Sequence, residues 1–127
     1  MLVFFAGTDG QGFAEVAKKG GAKSFLNSFY SLRCGKMPPV ARDMAETYIL
    51  DSGGYSARVH GVEIDVRKYA EYLNRYKIEF AFNLDVLDLD ESLNNFYYLN
   101  SATRTYIMPV YHGPEWKDKK KIGRAHV

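Results

Sequence analysis

Cysteine is almost absent from this sequence. Cys34 is the single cysteine among 127 residues. One thiol excludes a disulfide within the chain, and it also excludes a zinc site built from clustered cysteines. We therefore expect a reducing, cytoplasmic setting and no metal ligands in this chain.

The sequence also lacks a large net charge and any long apolar run. Its 17 Lys and Arg residues nearly balance its 15 Asp and Glu residues, and the net charge of +2 is too small to indicate a nucleic-acid partner by itself. No stretch approaches the roughly 18 apolar residues of a membrane span. The opening MLVFFAG has neither the basic region nor the cleavage site of a signal peptide. We therefore expect no membrane partner. A hydrophobic fraction of 46% with 15% aromatics predicts a globular core.

The last six residues, IGRAHV, resemble the translation of a common sequencing adapter. Such an added tail carries no information about the natural fold. We therefore expect residues 1–121 to be the natural part of the chain, residues 122–127 to be an added tail, and the natural protein to continue further. The alternative is a genuine basic C-terminus.

Strand and helix patterns alternate along the chain. Apolar runs predict strands within 2–6, 23–32, 47–51, 78–85 and 104–113. Helical patterns fall at 13–19, 64–76 and 90–99, with a shorter helix possible after Pro38 and Pro39. Such alternation is typical of an α/β fold with a parallel sheet.

Polar residues or glycines stand at the end of every predicted strand. Asp51 and Ser52 stand at the end of the third strand, Asp85 at the end of the fourth, and His112 at the end of the fifth. The carboxyl ends of parallel strands form the functional edge of α/β folds, so these residues are the candidate site. Gly53 and Gly54 leave room for a flat ligand at the backbone, and Tyr55 can stack on a ring.

Four segments in this order resemble the tRNA-guanine transglycosylase family: LDSGGYSA (50–57), DVRKYAEYL (65–73), AFNLDVLD (81–88) and YIMPVYHG (106–113). The similarity is greatest to phage and bacterial relatives that insert 7-deazaguanine bases into DNA. It covers about half of the chain well and the rest loosely. It implies a partial (β/α)8 TIM barrel, about the first half, because such a barrel takes roughly 250 residues.

The resemblance also implies a function and residue roles. The family are pentosyltransferases that replace guanine in a polynucleotide with a 7-deazaguanine, as in queuosine synthesis. A carboxylate attacks the sugar C1′, the old base leaves and the new base takes its place. Asp51 would contact the base edge and transfer a proton. Ser52, Gly53 and Gly54 would shape the base pocket, and Asp85 would be a second base-reading acid. Independently of the resemblance, the positions of Tyr55 and His112 at strand ends lead us to expect that they line the site. The implied partners are therefore a 7-deazaguanine base and either DNA or tRNA.

Two departures from the family pattern qualify that implication. The tRNA enzymes usually carry Gln after the aromatic residue, whereas Ser56 follows Tyr55 here, which favours the DNA-modifying branch. The family's nucleophile and structural zinc site belong to the later half of the barrel. We therefore expect no cofactor in this part and no activity from this chain alone.

Simpler roles remain open at this stage. Asp51 is also typical of an Asx-turn that caps its own loop. Asp85 has Asp88 and Asp90 close by, and an acid before a helix is often the N-cap of that helix, so an N-cap role is also open for Asp85. His112 fits an ordinary hydrogen-bonding role as well. For the whole chain, the alternative is a small, complete, doubly wound α/β domain that binds a nucleotide through GTDGQG (7–12) and the strand ends, without catalysis.

Overall fold

The computed structural model describes residues 4–5 and 11–110, and within them the chain is an α/β protein. The sheet contains β1 (Phe4–Phe5), β2 (Ser24–Ser28), β3 (Thr47–Asp51), β4 (Phe80–Phe82) and β5 (Tyr106–Met108). The helices are α1 (Gln11–Lys19), α2 (Gly54–Val59), α3 (Val66–Arg75) and α4 (Leu89–Ala102). A short 3₁₀ helix, Val40–Met44, follows Pro39.

The five strands form one sheet in which every neighbouring pair is parallel, as the alternation of elements predicted. Their spatial order is the chain order, β1-β2-β3-β4-β5, with no reversal. The register aligns Ser28 with Asp51 across β2 and β3, and it aligns Leu50 with Ala81 across β3 and β4. The carboxyl ends of β2, β3 and β4 therefore lie side by side.

One face of the sheet packs against the helices. Side chains alternate between the two faces of a strand, and the alternation places Phe25, Leu50 and Ala81 on the helix-covered face, where all three are fully buried. They form one apolar core with residues such as Tyr69 and Leu73 of α3. The ring of Phe29, just beyond β2, meets that of Tyr69 edge-on at 5.2 Å between centroids. This core fixes α3 beneath the candidate site.

The other face of the sheet carries none of these core residues and combines apolar side chains with the polar Ser24, Ser28, Thr47 and Asp51; we call it the open face. Its side chains on β2, β3 and β4 are half-buried apart from Ser24, which is buried. On β5, Tyr106 at the start is exposed and Met108 at the end is half-buried. Its apolar members are Leu26, Ile49, Phe80, Phe82, Tyr106 and Met108. The helix side chains that belong to the core pack against the opposite face of the sheet, and no described helix contributes a core side chain on the open face.

The element bounds agree best with prediction where the sequence pattern is strongest. Thr47–Asp51 is a strand over the predicted residues, and the periodic segment 64–76 contains α3. Strands β2 and β4 are shorter than the segments 23–32 and 78–85 that predicted them. Helix α2 was not predicted. The glycine-rich segment 7–12, on which the nucleotide-binding alternative depends, and the tail 122–127 fall largely or wholly outside the described residues.

The acid that caps α4 is Asp88. Its Oδ1 accepts a hydrogen bond from the Glu91 N–H at 2.9 Å. We expect Asp88→Ala to lower the free energy of unfolding by about 1 kcal/mol, the usual value of such a cap. Asp88→Asn keeps the acceptor and should cost much less. Urea denaturation of both variants measures this, and equal losses would show that the hydrogen-bond acceptor of Asp88 contributes nothing.

Within the described ranges, the longest and most apolar helical stretches fall short of what crossing a bilayer requires.

Candidate active site

Asp51 ends β3 at the carboxyl edge of the sheet, on the same side as the open face. Its side chain is half-buried. The Ser52 N–H donates to Asp51 Oδ1 at 2.9 Å, and Gly53 also offers a backbone hydrogen bond to the carboxylate. The loop-capping role considered from the sequence is therefore present. These bonds leave the rest of the carboxylate for other partners, so capping and chemistry are compatible in one residue.

The pKa of Asp51 is raised above its usual 3.8. Burial is the largest cause, because it disfavours the charged form. The negative charge of Asp85 raises the pKa further, while the hydrogen bonds from Ser52 and Gly53 oppose the rise. A carboxyl group with a raised pKa exchanges protons more readily near neutral pH, which is the property a general acid or base needs.

The raised pKa predicts how stability depends on pH. Folded Asp51 holds its proton more tightly than unfolded Asp51, so its stabilising contribution is complete below 3.8 and is lost as pH rises through the raised pKa of the folded state. The stability of the wild type relative to Asp51→Asn should therefore fall with pH across that window and then level off. Urea denaturation of both proteins over a pH series measures this. A relative stability that rises with pH would contradict the assignment.

Asp85 lies just beyond β4 and faces the turn that follows Asp51. Its backbone oxygen lies 3.0 Å from where a Cβ would stand on Gly54, and its charge acts on Asp51. Because Asp88 is the N-cap of α4, Asp85 does not serve as that cap. The structure therefore brings together the two acids that the sequence selected at neighbouring strand ends.

Tyr69 lies beneath this pair of acids. Its ring is fully buried, and its hydroxyl donates to the Phe82 carbonyl oxygen at 2.8 Å. Burial raises the pKa of Tyr69 well above 10.0, and the charge of Asp51 is the next largest cause. Tyr69 therefore stays protonated and forms a neutral, buried floor beneath the acids.

Ser52, Gly53 and Gly54 form a tight turn held by the chain's own groups. Ser52 is 1% exposed, and its Oγ accepts a hydrogen bond from the Gly54 N–H at 3.2 Å. Gly53 has a φ of +75° and is the N-cap of α2. A Cβ on Gly53 would lie 2.2 Å from Ser28 Oγ and 2.6 Å from Tyr30 Cβ. Gly53 thus allows the turn after β3 to approach the end of β2 closely, a reason for this glycine besides ligand access.

Tyr55 is the exposed aromatic residue of the site. It stands in the first turn of α2 with 71% of its surface exposed. The Arg58 guanidinium carbon lies 5.6 Å from its ring centroid, within the range of a cation–π contact. An exposed ring beside a pair of acids suits stacking on a flat ligand.

Sequence reasoning missed the contribution of Tyr30. Its backbone N–H donates to the Ser52 carbonyl oxygen at 3.2 Å, and the preceding Phe29 N–H donates to the Asp51 carbonyl oxygen at 2.8 Å. Its ring stacks on that of His60 with centroids 5.9 Å apart and an interplanar angle of 20°. These residues are far apart in sequence and in different elements, so no local pattern signals the contact.

The last predicted site residue, His112, lies outside the described residues, as does its neighbour Tyr111. Among the described residues, no three His, Cys, Asp or Glu side chains are grouped so that they could hold a metal ion. A cleft of about 740 Å³ adjoins the turn at Gly54 and is also lined by Arg58, Leu84 and Glu91 among others, but neither Asp51 nor Asp85 lines it. The site thus has a carboxylate pair, an exposed ring and an adjoining cleft.

Comparison with known proteins gives no relative on which to base an identity: no protein-family model, curated protein or solved structure matches this chain.

Proposed function

We propose that this chain is the first part of a transglycosylase-like (β/α)8 barrel that exchanges guanine for a 7-deazaguanine base in DNA or tRNA. The observation that carries the proposal is the pair Asp51 and Asp85, on neighbouring strand ends beside the Ser52–Gly54 turn. Burial and mutual repulsion raise the pKa of Asp51. Paired carboxylates with a shifted pKa at strand ends are typical of acid–base sites.

The sheet supports the barrel part of the proposal. Strands in chain order with parallel neighbours match an arc of a (β/α)8 barrel. The apolar side chains of the open face suit a barrel interior, since a parallel sheet is normally buried on both faces. Exposed apolar side chains also lie on α4 and β5, where Leu93 is 41% exposed, Tyr97 65% and Tyr106 64%. A following β/α unit would cover them.

The proposed chemistry assigns each acid a role. A guanine-like base presents N–H donors on one edge, and carboxylates accept hydrogen bonds from such donors. Asp51 would bind this edge and exchange a proton with a ring nitrogen as one base leaves and the other enters. Asp85 would accept a second hydrogen bond from the same edge. Tyr55 would cover the face of the ring.

The sheet order disfavours the alternative, a doubly wound nucleotide-binding domain. Such a domain binds its ligand where the strand order reverses, and β1 to β5 show no reversal. Its other support, the glycine-rich segment 7–12, falls mainly outside the described residues.

Calorimetric titration of the chain with a 7-deazaguanine base and with purine mononucleotides distinguishes the two functions. We expect the free base to bind and the mononucleotides to bind far more weakly. Mononucleotide binding that is lost in Gly10→Val and kept in Asp51→Asn would instead establish the alternative. We expect no base exchange by the 127-residue chain alone, because the family resemblance assigns the nucleophile to a later part of the barrel.

A further inference from the structure

The buried face of α4 is polar at one end. Its buried residues are Ser92, Asn95 and Leu99, which are spaced three and four apart and therefore lie on one stripe of the helix. Leu99, in the second half of α4, belongs to the apolar core. Ser92 and Asn95, in the first half, are only 1% and 9% exposed. A polar side chain is costly to bury unless it forms hydrogen bonds, so the bonds of these two indicate why they stand there.

Both side chains bond to the backbone of the loop that joins β4 to α4. Ser92 Oγ accepts a hydrogen bond from the Val86 N–H at 2.8 Å and donates one to the Val86 carbonyl oxygen at 3.0 Å. Asn95 Nδ2 donates to the Leu84 carbonyl oxygen at 3.0 Å. Leu84 and Val86 are the two neighbours of Asp85 in the chain. The backbone is therefore held by α4 on both sides of this acid.

The start of the same loop is held as well. The Asn83 N–H donates to the Met108 carbonyl oxygen at 2.9 Å, which continues the pairing of β4 with β5 past the end of β4. The Asn83 side chain is buried, and its Nδ2 donates to the Ser92 carbonyl oxygen at 2.9 Å. Three residues of the loop are therefore anchored to α4 around Asp85.

We propose that Ser92 and Asn95 are positioning residues, which hold the Asp85 carboxylate against Asp51 by fixing the backbone on both sides of Asp85. The loop passes close to the turn that follows Asp51, since the Asp85 backbone oxygen lies 3.0 Å from where a Cβ would stand on Gly54. The position of the loop therefore decides how near the two carboxylates lie. That this pair binds a base rests on the proposed function, whereas the placement of Asp85 by α4 does not.

Carbon-13 NMR of aspartate-labelled protein tests the inference by following the Asp51 carboxyl group through a pH series. Asp85 is the titratable group whose charge raises the pKa of Asp51, and Tyr69 beneath them stays neutral. Asp85→Asn gives the full effect of losing that charge. Ser92→Ala and Asn95→Leu remove the anchoring hydrogen bonds with little change in side-chain volume.

Thr105→Val is the matched control. Thr105 is 6% exposed, and its Oγ1 donates to the Ile78 carbonyl oxygen at 2.7 Å, at the amino edge of the sheet. The variant therefore loses a buried hydrogen bond from a side chain to the backbone, as Ser92→Ala does, but far from the acids. Urea denaturation and circular dichroism report the stability and helix content of every variant.

We expect Asp85→Asn to lower the midpoint of the Asp51 titration, and Ser92→Ala and Asn95→Leu to lower it by part of the same amount. Thr105→Val should lose comparable stability and leave the midpoint unchanged. The inference would be overturned by an unchanged or raised midpoint in Asp85→Asn or in both α4 variants, or by an equally large shift in Thr105→Val. If Asn95→Leu fails to fold, Ser92→Ala decides the matter.

Calorimetric titration with a 7-deazaguanine base tests the consequence for binding. The two α4 variants should bind the base severalfold more weakly than the wild type, and Thr105→Val should bind it equally well. Equal affinities in the wild type and both α4 variants would also overturn the positioning role. A wild type that binds no base would contradict the proposed function and leave the NMR result standing, because Asp51 titrates without a ligand.

Discussion

Asp51→Asn is expected to weaken binding of a 7-deazaguanine base by roughly tenfold to a hundredfold, because a hydrogen bond to a charged group is worth about 1.5–3 kcal/mol. The same change should leave stability at neutral pH unchanged or higher. It removes a half-buried charge that repels Asp85, and the asparagine oxygen still accepts the Ser52 N–H. Lost binding with retained stability is the usual signature of a residue kept for function.

Asp43→Asn is the matched control. Asp43 carries the same group in the 3₁₀ helix, with 77% of its side chain exposed. Isothermal titration calorimetry gives the affinities, and urea denaturation gives the stabilities. Equal affinities for wild type and Asp51→Asn would remove Asp51 from the site. A large loss of stability in Asp51→Asn would make it a structural cap instead.

Gly53→Ala is expected to lower the free energy of unfolding by about 2–5 kcal/mol. The left-handed backbone costs a non-glycine residue about 1–2 kcal/mol, and overpacking adds about 1–3 kcal/mol. Overpacking arises because the new methyl group would lie 2.2 Å from Ser28 Oγ. The loss should also displace β2 from the turn that carries Asp51, so base binding should weaken in parallel.

Gly61 separates the two causes. Its φ is +70°, close to the +75° of Gly53, but no atom lies within 4 Å of its added Cβ. Gly61→Ala should therefore show only the backbone cost of about 1–2 kcal/mol. Adding Ser28→Ala to Gly53→Ala should recover part of the loss. Equal effects at Gly53 and Gly61 in urea denaturation would show that close approach of the turn to the end of β2 plays no part.

The parallel sheet and the pair of acids could be predicted from sequence because both follow from short patterns. The apolar run before Asp51 defined β3, and the helical spacing around Tyr69 defined α3. The rule that parallel strands gather their carboxyl ends then selected Asp51 and Asp85. Choosing between Asp85 and Asp88 as a helix cap needed coordinates, since both precede α4 within a few residues.

Other features could not be predicted, for physical reasons. Helix α2 is six residues long, begins at a glycine pair and exposes Tyr55 and Val59, so it shows no amphipathic pattern. The stacking of Tyr30 on His60 joins residues 30 positions apart. Gly53 was interpreted as space for a ligand, whereas Ser28 and Tyr30 occupy that side of it. Such contacts depend on tertiary packing, which local patterns do not encode.

A crystal structure of this chain with a bound 7-deazaguanine base is the most direct test of the central claim. The account predicts that the N–H edge of the base lies within hydrogen-bonding distance of the Asp51 and Asp85 carboxylates, with the ring against Tyr55. A base bound elsewhere, for example in the cleft lined by Arg58 and Glu91 and away from both acids, would contradict it.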